Sequence, residues 1–186
     1  MRELQLATLV DEPPEGDTWF HEQKFDGYRI LAERDGDRVE LWSRNGNPWT
    51  QQFPTIAAAV GKLSSKHLAL DGEVAAVMPD GRTSFSAMHD GAPLVYFVFD
   101  VLAADGVELA HLPLSARKAK LEELLASAPP EIKYSSHVVG KGAEFFALAC
   151  KRGLEGIISK RADSRYKSGR CLRWLKIKNP EYVRQA

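Results

Sequence analysis

Cysteine is nearly missing from this chain. Cys150 and Cys171 are the whole complement, and they lack metal-ligand spacing, so they read as reduced thiols of a cytoplasmic protein. Long apolar runs are missing as well. None approaches the ~18 residues that a membrane helix needs, and no charged-then-apolar segment opens the chain. The expectation is a soluble, cytoplasmic protein with no membrane partner. Net charge is also absent, because 25 Lys and Arg balance 25 Asp and Glu. No internal repeat or low-complexity tract is present.

What remains is 186 residues, 44% of them hydrophobic, enough for one domain with a real core. The neutral total hides an asymmetry. Residues 1–130 carry 12 Lys and Arg against 20 Asp and Glu, whereas residues 131–186 carry 13 against 5. The basic C-terminal third is either a footprint for phosphates or nucleic acid, or a solvated face opposite an acidic one.

Leu4 to Val10 is an apolar patch, and the Pro-rich acidic run behind it is a loop. Tyr28 to Glu33 and Arg38 to Trp42 flank Arg34-Asp35-Gly36-Asp37, a hairpin signal. Phe53 to Leu63 is amphipathic, with Pro54 suited to a first helical turn. Ser84 to Met88 suits a short helical turn. Leu68 to Val77 is strand-like but interrupted by Asp71-Gly72-Glu73. Leu94 to Leu102 reads as a central strand buried on both faces. Ser115 to Ala128 is a helix with Ser115 as N-cap and Leu121, Leu124 and Leu125 on one face, stopped by Pro129-Pro130. Ile132 to Val139 contains a short strand. Glu144 to Arg152 is a helix closed by Gly153. Gly156 to Lys160 and Arg173 to Lys178 are strands. Strands without a βαβ rhythm, plus about three helices, point to an α+β fold of mixed or antiparallel sheets.

One stretch, Glu22-Gln23-Lys24-Phe25-Asp26-Gly27-Tyr28-Arg29, gathers a lysine, a carboxylate, a glycine and an arginine in the bend between two strands. A lysine amine is a nucleophile only when unprotonated, and burial or neighbouring cations favour that form. The plain alternative is a surface lysine beside a turn. Other polar residues sit where buried strands do not want them. Asp71 and Glu73 interrupt one strand, a pattern that a bulge also produces. Glu155 and Lys160 bracket another. Lys176 and Lys178 share a face of the last, as residues of a solvated face also do.

In order, Lys24-x-Asp26-Gly27-x-Arg29, Ser43-Arg44-Asn45-Gly46, Asp71-Gly72-Glu73, Tyr96-Phe97-Val98-Phe99-Asp100, Glu155-Gly156-Ile157-Ile158-Ser159-Lys160 and Lys176-Ile177-Lys178 resemble the motif series of the covalent nucleotidyltransferases. These are the ATP-dependent DNA ligases, RNA ligases and mRNA capping enzymes. His21-Glu22-x-Lys24-Phe25-Asp26-Gly27-Tyr28-Arg29, Glu155-Gly156-Ile157-Ile158-Ser159-Lys160-Arg161 and Trp174-Leu175-Lys176-Ile177-Lys178 are similar to the ligase domain of bacterial ligase D, the end-joining ligase. The likeness runs from about Leu6 to Asn179.

The resemblance implies an ATP-grasp-like nucleotidyltransferase domain, mixed and antiparallel sheets flanked by helices. It implies that Lys24 attacks the α-phosphate of ATP to give lysyl-AMP, that AMP then passes to a DNA 5′-phosphate, and that the nick is sealed. Glu22, Arg29, Glu73, Phe99, Lys176 and Lys178 are implied in nucleotide binding. Glu155 and Glu73 are implied as ligands of Mg2+ or Mn2+, a donor set that suits an oxygen-liking cation. Arg44 and Lys160 are implied as contacts to DNA phosphates, with nicked or broken duplex as partner. Family members continue into an OB-fold domain after the last lysine motif. The expectation here is one adenylation domain, residues 1–186, with that domain absent: either the sequence is a piece of a longer protein, or a stand-alone domain borrows the missing part from an OB-fold domain or protein in trans. Two rivals stand beside this reading: an RNA ligase or capping-type enzyme, and a non-catalytic module that binds nucleotide or DNA ends.

Overall fold

The structure is a computed structural model that describes residues 2–184. Twelve strands among these residues form two sheets, and three α-helices pack against them. The first sheet runs β1 (Gln5–Leu9), β12 (Gly169–Lys178), β11 (Gly156–Arg161), β2 (Trp19–Gln23) and β10 (His137–Val139). Only the β1–β12 pairing in it is parallel. The second sheet runs β4 (Arg38–Ser43), β3 (Tyr28–Asp35), β5 (His67–Val77), β7 (Leu94–Ala104) and β8 (Val107–Glu108). The short β6 (Thr83–Ser84) pairs with β5, and β9 (Ile132–Tyr134) lies parallel to β7. The α+β fold with mixed and antiparallel pairing is as the sequence predicts.

The main core lies on one face of the second sheet. Ile30, Leu41, Leu70, Val74, Val98 and Val101 pack there against α1 (Pro54–Val60) and α2 (Leu114–Leu125). Their alternation is the period of a strand with one buried face. A second cluster, with Ala149, Ile157 and Ile177, seats α3 (Gly142–Lys151) on the far face of the first sheet. The near faces of the two sheets border a cleft.

Several expectations need correction. The bend Lys24 to Gly27 does lie between two strands, but β2 and β3 belong to different sheets, so the bend carries the chain from one sheet to the other. Gly27 is required for close approach: a Cβ there would collide with the Val74 carbonyl. Strand β7 is central, yet Phe97 and Phe99 are only half-buried: Phe99 lines the cleft and Phe97 stacks on Phe25 of the bend. Ser115 does not cap α2. Pro113 occupies the N-cap with no side-chain bond, and the free N–H groups of Leu114 and Ser115 donate to the carbonyls of Ser164 and Ala162. Tertiary carbonyls satisfy what a local hydroxyl otherwise would. Ile132 to Val139 holds two strands, one in each sheet. The interruption at Asp71-Gly72 is a register shift between β5 and β7, the bulge that the sequence left open. Gly72 leaves room for the Tyr96 ring, whose hydroxyl donates to the carbonyls of Ile30 and Leu70.

Candidate functional site

A cavity of about 670 Å³ separates the sheets, and both contribute its walls. From the first sheet come Glu22, Ile158, Lys160, Trp174 and Lys176; from the second, Arg29, Glu73 and Phe99; from the crossover, Lys24. Register explains the first wall. Glu22 pairs with Ile158, and Ile158 with Lys176, so the three side chains form one row on the cleft face. Arg29 faces Glu73 in the same way across β3 and β5.

Lys24 is held from both sides. Its N–H donates to the Gly156 carbonyl at 3.0 Å. The next ring, Phe25, stacks on Phe97 at 4.1 Å. Asp26 is buried, where it accepts from the Phe85 N–H at 3.0 Å and the Tyr182 hydroxyl at 2.8 Å and pairs with Arg184 at 2.9 Å. The backbone is pinned while the Lys24 side chain keeps a fifth of its surface exposed, its Nζ 2.6 Å from Glu155 Oε1.

Carboxylates and cations crowd this mouth of the cleft. Burial, with added repulsion from Glu155 and Asp71, outweighs Lys24 and Arg29 and pushes the Glu73 carboxyl up to about 7. Glu155 Oε2 is buried without a hydrogen-bond partner. An orphaned oxygen beside a carboxyl that resists ionisation fits an oxygen-liking cation. Among the described residues no group of three or more His, Cys, Asp or Glu gathers as a complete metal site. A Mg2+ held by one or two carboxylates together with substrate phosphates does not need one. Burial lowers the Lys176 ammonium, and Lys178, Arg170, Lys24 and Arg44 add to the effect by repulsion. Such a cluster of cations suits phosphate oxygens. Arg44 is exposed on the turn after β4, where the Ser43 N–H donates to the Asn47 carbonyl.

Arg29 is less free than its place in the motif suggests. Its guanidinium donates to both oxygens of buried Asp71, at 2.8 and 2.7 Å, and to the Gln5 carbonyl at 2.9 Å. The Tyr166 hydroxyl donates to the same Asp71 at 2.6 Å. The Arg29 guanidinium lies 5.0 Å from the centre of the Phe99 ring.

The floor is a buried cluster of charges, in which Glu22 Oε1 has ion-pair neighbours but no hydrogen-bond partner. Glu22 accepts from the Ser135 hydroxyl at 2.7 Å and lies 3.0 Å from Lys118 Nζ and 3.2 Å from Lys160 Nζ. None of these three charged side chains is more than 2% exposed. Burial works to raise the Glu22 carboxyl, but Lys118 and Lys160 overcome it and leave the group below its usual range. Burial lowers the Lys160 ammonium to about 8. That ammonium sits 4.2 Å from the Phe99 ring centre and 4.3 Å from that of Trp174.

The cleft brings together Glu22, Lys24, Arg29, Arg44, Glu73, Phe99, Glu155, Lys160 and Lys176, nine of the ten side chains that the motifs single out. Lys178 is outside its walls and exposed. Lys160 needs correction as a DNA contact, since it is sealed beside Glu22, far from the exposure that a duplex phosphate requires. Sequence reasoning missed Lys118, Ser135 and the role of Asp71. A signal for Lys118 existed: Leu114, Arg117, Lys118, Leu121, Leu124 and Leu125 follow the spacing of one helical face, so two cations share the apolar stripe.

A family model described as "ATP dependent DNA ligase domain" matches residues 5–178. The chain is 35% identical over 181 residues to the "Multifunctional non-homologous end joining protein LigD" of Pseudomonas aeruginosa, covering 94% of this chain and 21% of that protein. The crystal structure of the ligase domain of Mycobacterium tuberculosis LigD superposes with a TM-score of 0.85 at 34% identity, over 95% of this chain and 60% of that one. A mycobacterial DNA ligase D complexed with ATP and MES superposes with a TM-score of 0.83, again at 34% identity and with the same coverage. The chain thus spans about a fifth of the Pseudomonas relative and three fifths of the ligase-domain structures.

Proposed function

The chain belongs to the ATP-dependent DNA ligase domain family, and from that membership we propose that the cleft forms a lysyl-AMP intermediate on Lys24 and serves the sealing of nicked or broken duplex DNA. The observation that carries the reading is the Lys24–Glu155 contact. A lysine nitrogen on a pinned backbone, one-fifth exposed, points into a cavity of nucleotide size beside an under-coordinated carboxylate.

In the proposed step, the Lys24 Nζ lone pair attacks the α-phosphorus of ATP. A P–N bond forms, the P–O bond to the β-phosphate breaks, and pyrophosphate leaves with the electron pair. Glu155 Oε1, 2.6 Å from Nζ, is placed to take the amine proton. Lys176 faces the charge that builds on the phosphate oxygens. Phe99 and Ile158 offer walls for the base, and Arg29, fixed by Asp71, sits near the sugar side. Glu73 and Glu155 would hold Mg2+ or Mn2+. That ion would neutralise phosphate charge. Transfer of AMP to a DNA 5′-phosphate and closure by the 3′-hydroxyl complete the sequence. Residues 5–178 act as one nucleotidyltransferase unit in this scheme, with an OB-fold domain or protein as its partner. Among the described residues no helix is long and apolar enough to cross a membrane.

Mass spectrometry of the protein with ATP and Mn2+ tests the scheme. A gain of one AMP mapped to Lys24 is expected. A gain that survives Lys24→Ala refutes the nucleophile assignment. A pre-adenylated nick offered next asks for the final step alone, where sealing is expected even if the first step is slow.

A further inference from the structure

We propose that Lys118 is a positioning residue for base selection: together with Ser135 and Lys160 it fixes the Glu22 carboxylate as a hydrogen-bond acceptor at the cleft floor, so that the site takes a 6-amino purine and rejects a 6-oxo purine. This rests on the reading of the cleft as an ATP site.

The geometry separates the two partners of Glu22. Oε2 accepts from Ser135, and Oε1 faces two ammonium groups. Lys118 is not part of the cavity wall, whereas Glu22 and Lys160 are. The Lys118 ammonium has three donors. It donates to the Ser135 carbonyl at 2.6 Å, lies 3.0 Å from Glu22 Oε1 and rests 4.3 Å from the Tyr134 ring centre. It stands behind Glu22 and outside the cavity wall, out of reach of a ligand carbonyl, while Glu22 Oε1 is left without a hydrogen-bond partner of its own.

Helix α2 makes this support rigid. Arg117, one residue earlier, donates to both oxygens of buried Asp100 at 2.7 and 2.9 Å, and to the carbonyls of Leu112 and Ser164. Asp100 follows Phe99 on β7 in the second sheet, while Glu22 is on β2 in the first. Consecutive cations on one helix therefore bind a carboxylate from each wall. The helix sets the floor of the first wall relative to the aromatic side chain of the second.

The chemical consequence follows from donors and acceptors. An ionised carboxylate accepts from an amino group and repels a ring carbonyl. Ionisation in a buried place needs compensating cations. With Lys118 removed, a protonated Glu22 becomes affordable, and its hydroxyl can donate to a 6-oxo group. The discrimination then falls. A site that loses a charged hydrogen-bond acceptor changes selectivity by roughly tenfold or more.

The test compares ATP with ITP, which differ at the 6-position of the base. Calorimetric titration without metal gives the affinity ratio before any chemistry, and nucleotidylation of Lys24 with Mn2+ gives the ratio of kcat/KM. Wild type is expected to favour ATP by at least roughly tenfold. Lys118→Met is expected to reduce that preference by roughly tenfold, and Lys118→Arg, which keeps the cation, to retain most of it. An unchanged ratio in folded Lys118→Met overturns the proposal, as does an equal loss of affinity for both nucleotides. If Lys118→Met does not fold, Ser135→Ala decides: a reduced preference supports the fixed-acceptor arrangement, and an intact one overturns it. Wild type that binds neither nucleotide refutes the ATP-site reading itself, and the proposal falls with it.

Discussion

At the mouth of the cleft Lys24 meets a single carboxylate, Glu155, and keeps a fifth of its side chain exposed. At the floor Lys118 and Lys160 share Glu22, and all three are sealed from solvent. The same residue types thus meet opposite surroundings in one cavity. In the proposed step Lys24 has to shed its proton and move to its target, which suits a single, replaceable partner. A positioning cation has to stay charged and still, so its partners are many and buried. Lysine count says nothing about this difference; burial and the number of partners do.

Experiments can break or sharpen the contrast. The largest effect belongs to the mouth. Lys24→Ala should abolish the AMP adduct in the mass spectrum while the melting temperature stays within a few degrees, since the side chain supports no core. An unfolded Lys24→Ala would erase the distinction between mouth and floor. At the floor the opposite is expected. Glu22→Ala strands two buried ammonium groups and should cost about 3–5 kcal/mol, read as a large drop in the midpoint of urea unfolding. A stability near that of wild type would mean that the two ammonium groups do not depend on Glu22.

Next in size is Lys176→Ala, which should lower the rate of adduct formation by roughly a hundredfold, as removal of a transition-state donor does, with unfolding unchanged. The pH dependence is smaller and sits at the mouth. With its carboxyl raised to about 7, Glu73 is protonated and neutral below that pH and ionised above it. The apparent affinity for Mg2+ should therefore strengthen by about tenfold per unit up to pH 7 and flatten above it. The stability effect has the reverse sign. Because the folded protein holds this proton more tightly than the unfolded chain, the stabilisation is full below the ordinary carboxyl range and is lost as pH rises through about 7. Thermal melts of the metal-free protein across that range check the sign.

The smallest effect is at the outer rim. The formal charge of the whole chain is zero, so binding to nicked duplex should be weak and salt-sensitive. Arg44→Ala should weaken it a few-fold and reduce the salt slope by about one unit. Tight binding to intact duplex at high salt would contradict the assignment of Arg44 to the rim.

Much of this was legible in residue order. The α+β class came from the rhythm of strands and helices, and the nine side chains that line the cleft came from short motifs, because each motif is a local pattern of charge, glycine and strand period. The bend at Asp26-Gly27 was legible as a bend but not as a crossover between sheets, for the same local reason: a crossover and a hairpin share their first residues. Lys160 was misplaced because its position in a motif says nothing about its depth.

What the sequence by itself determined was which groups are present and which strand faces they share. Period-two alternation put Lys176 and Lys178 on one face of the last strand, with no knowledge of the fold. Tertiary structure alone decided which cation meets which carboxylate. Ser135 reaches Glu22 across 113 residues, and Lys118 reaches it from a helix that holds no motif. The energy of a buried ion depends on the groups that surround it, and those surroundings are assembled only when the two sheets and α2 close on one another.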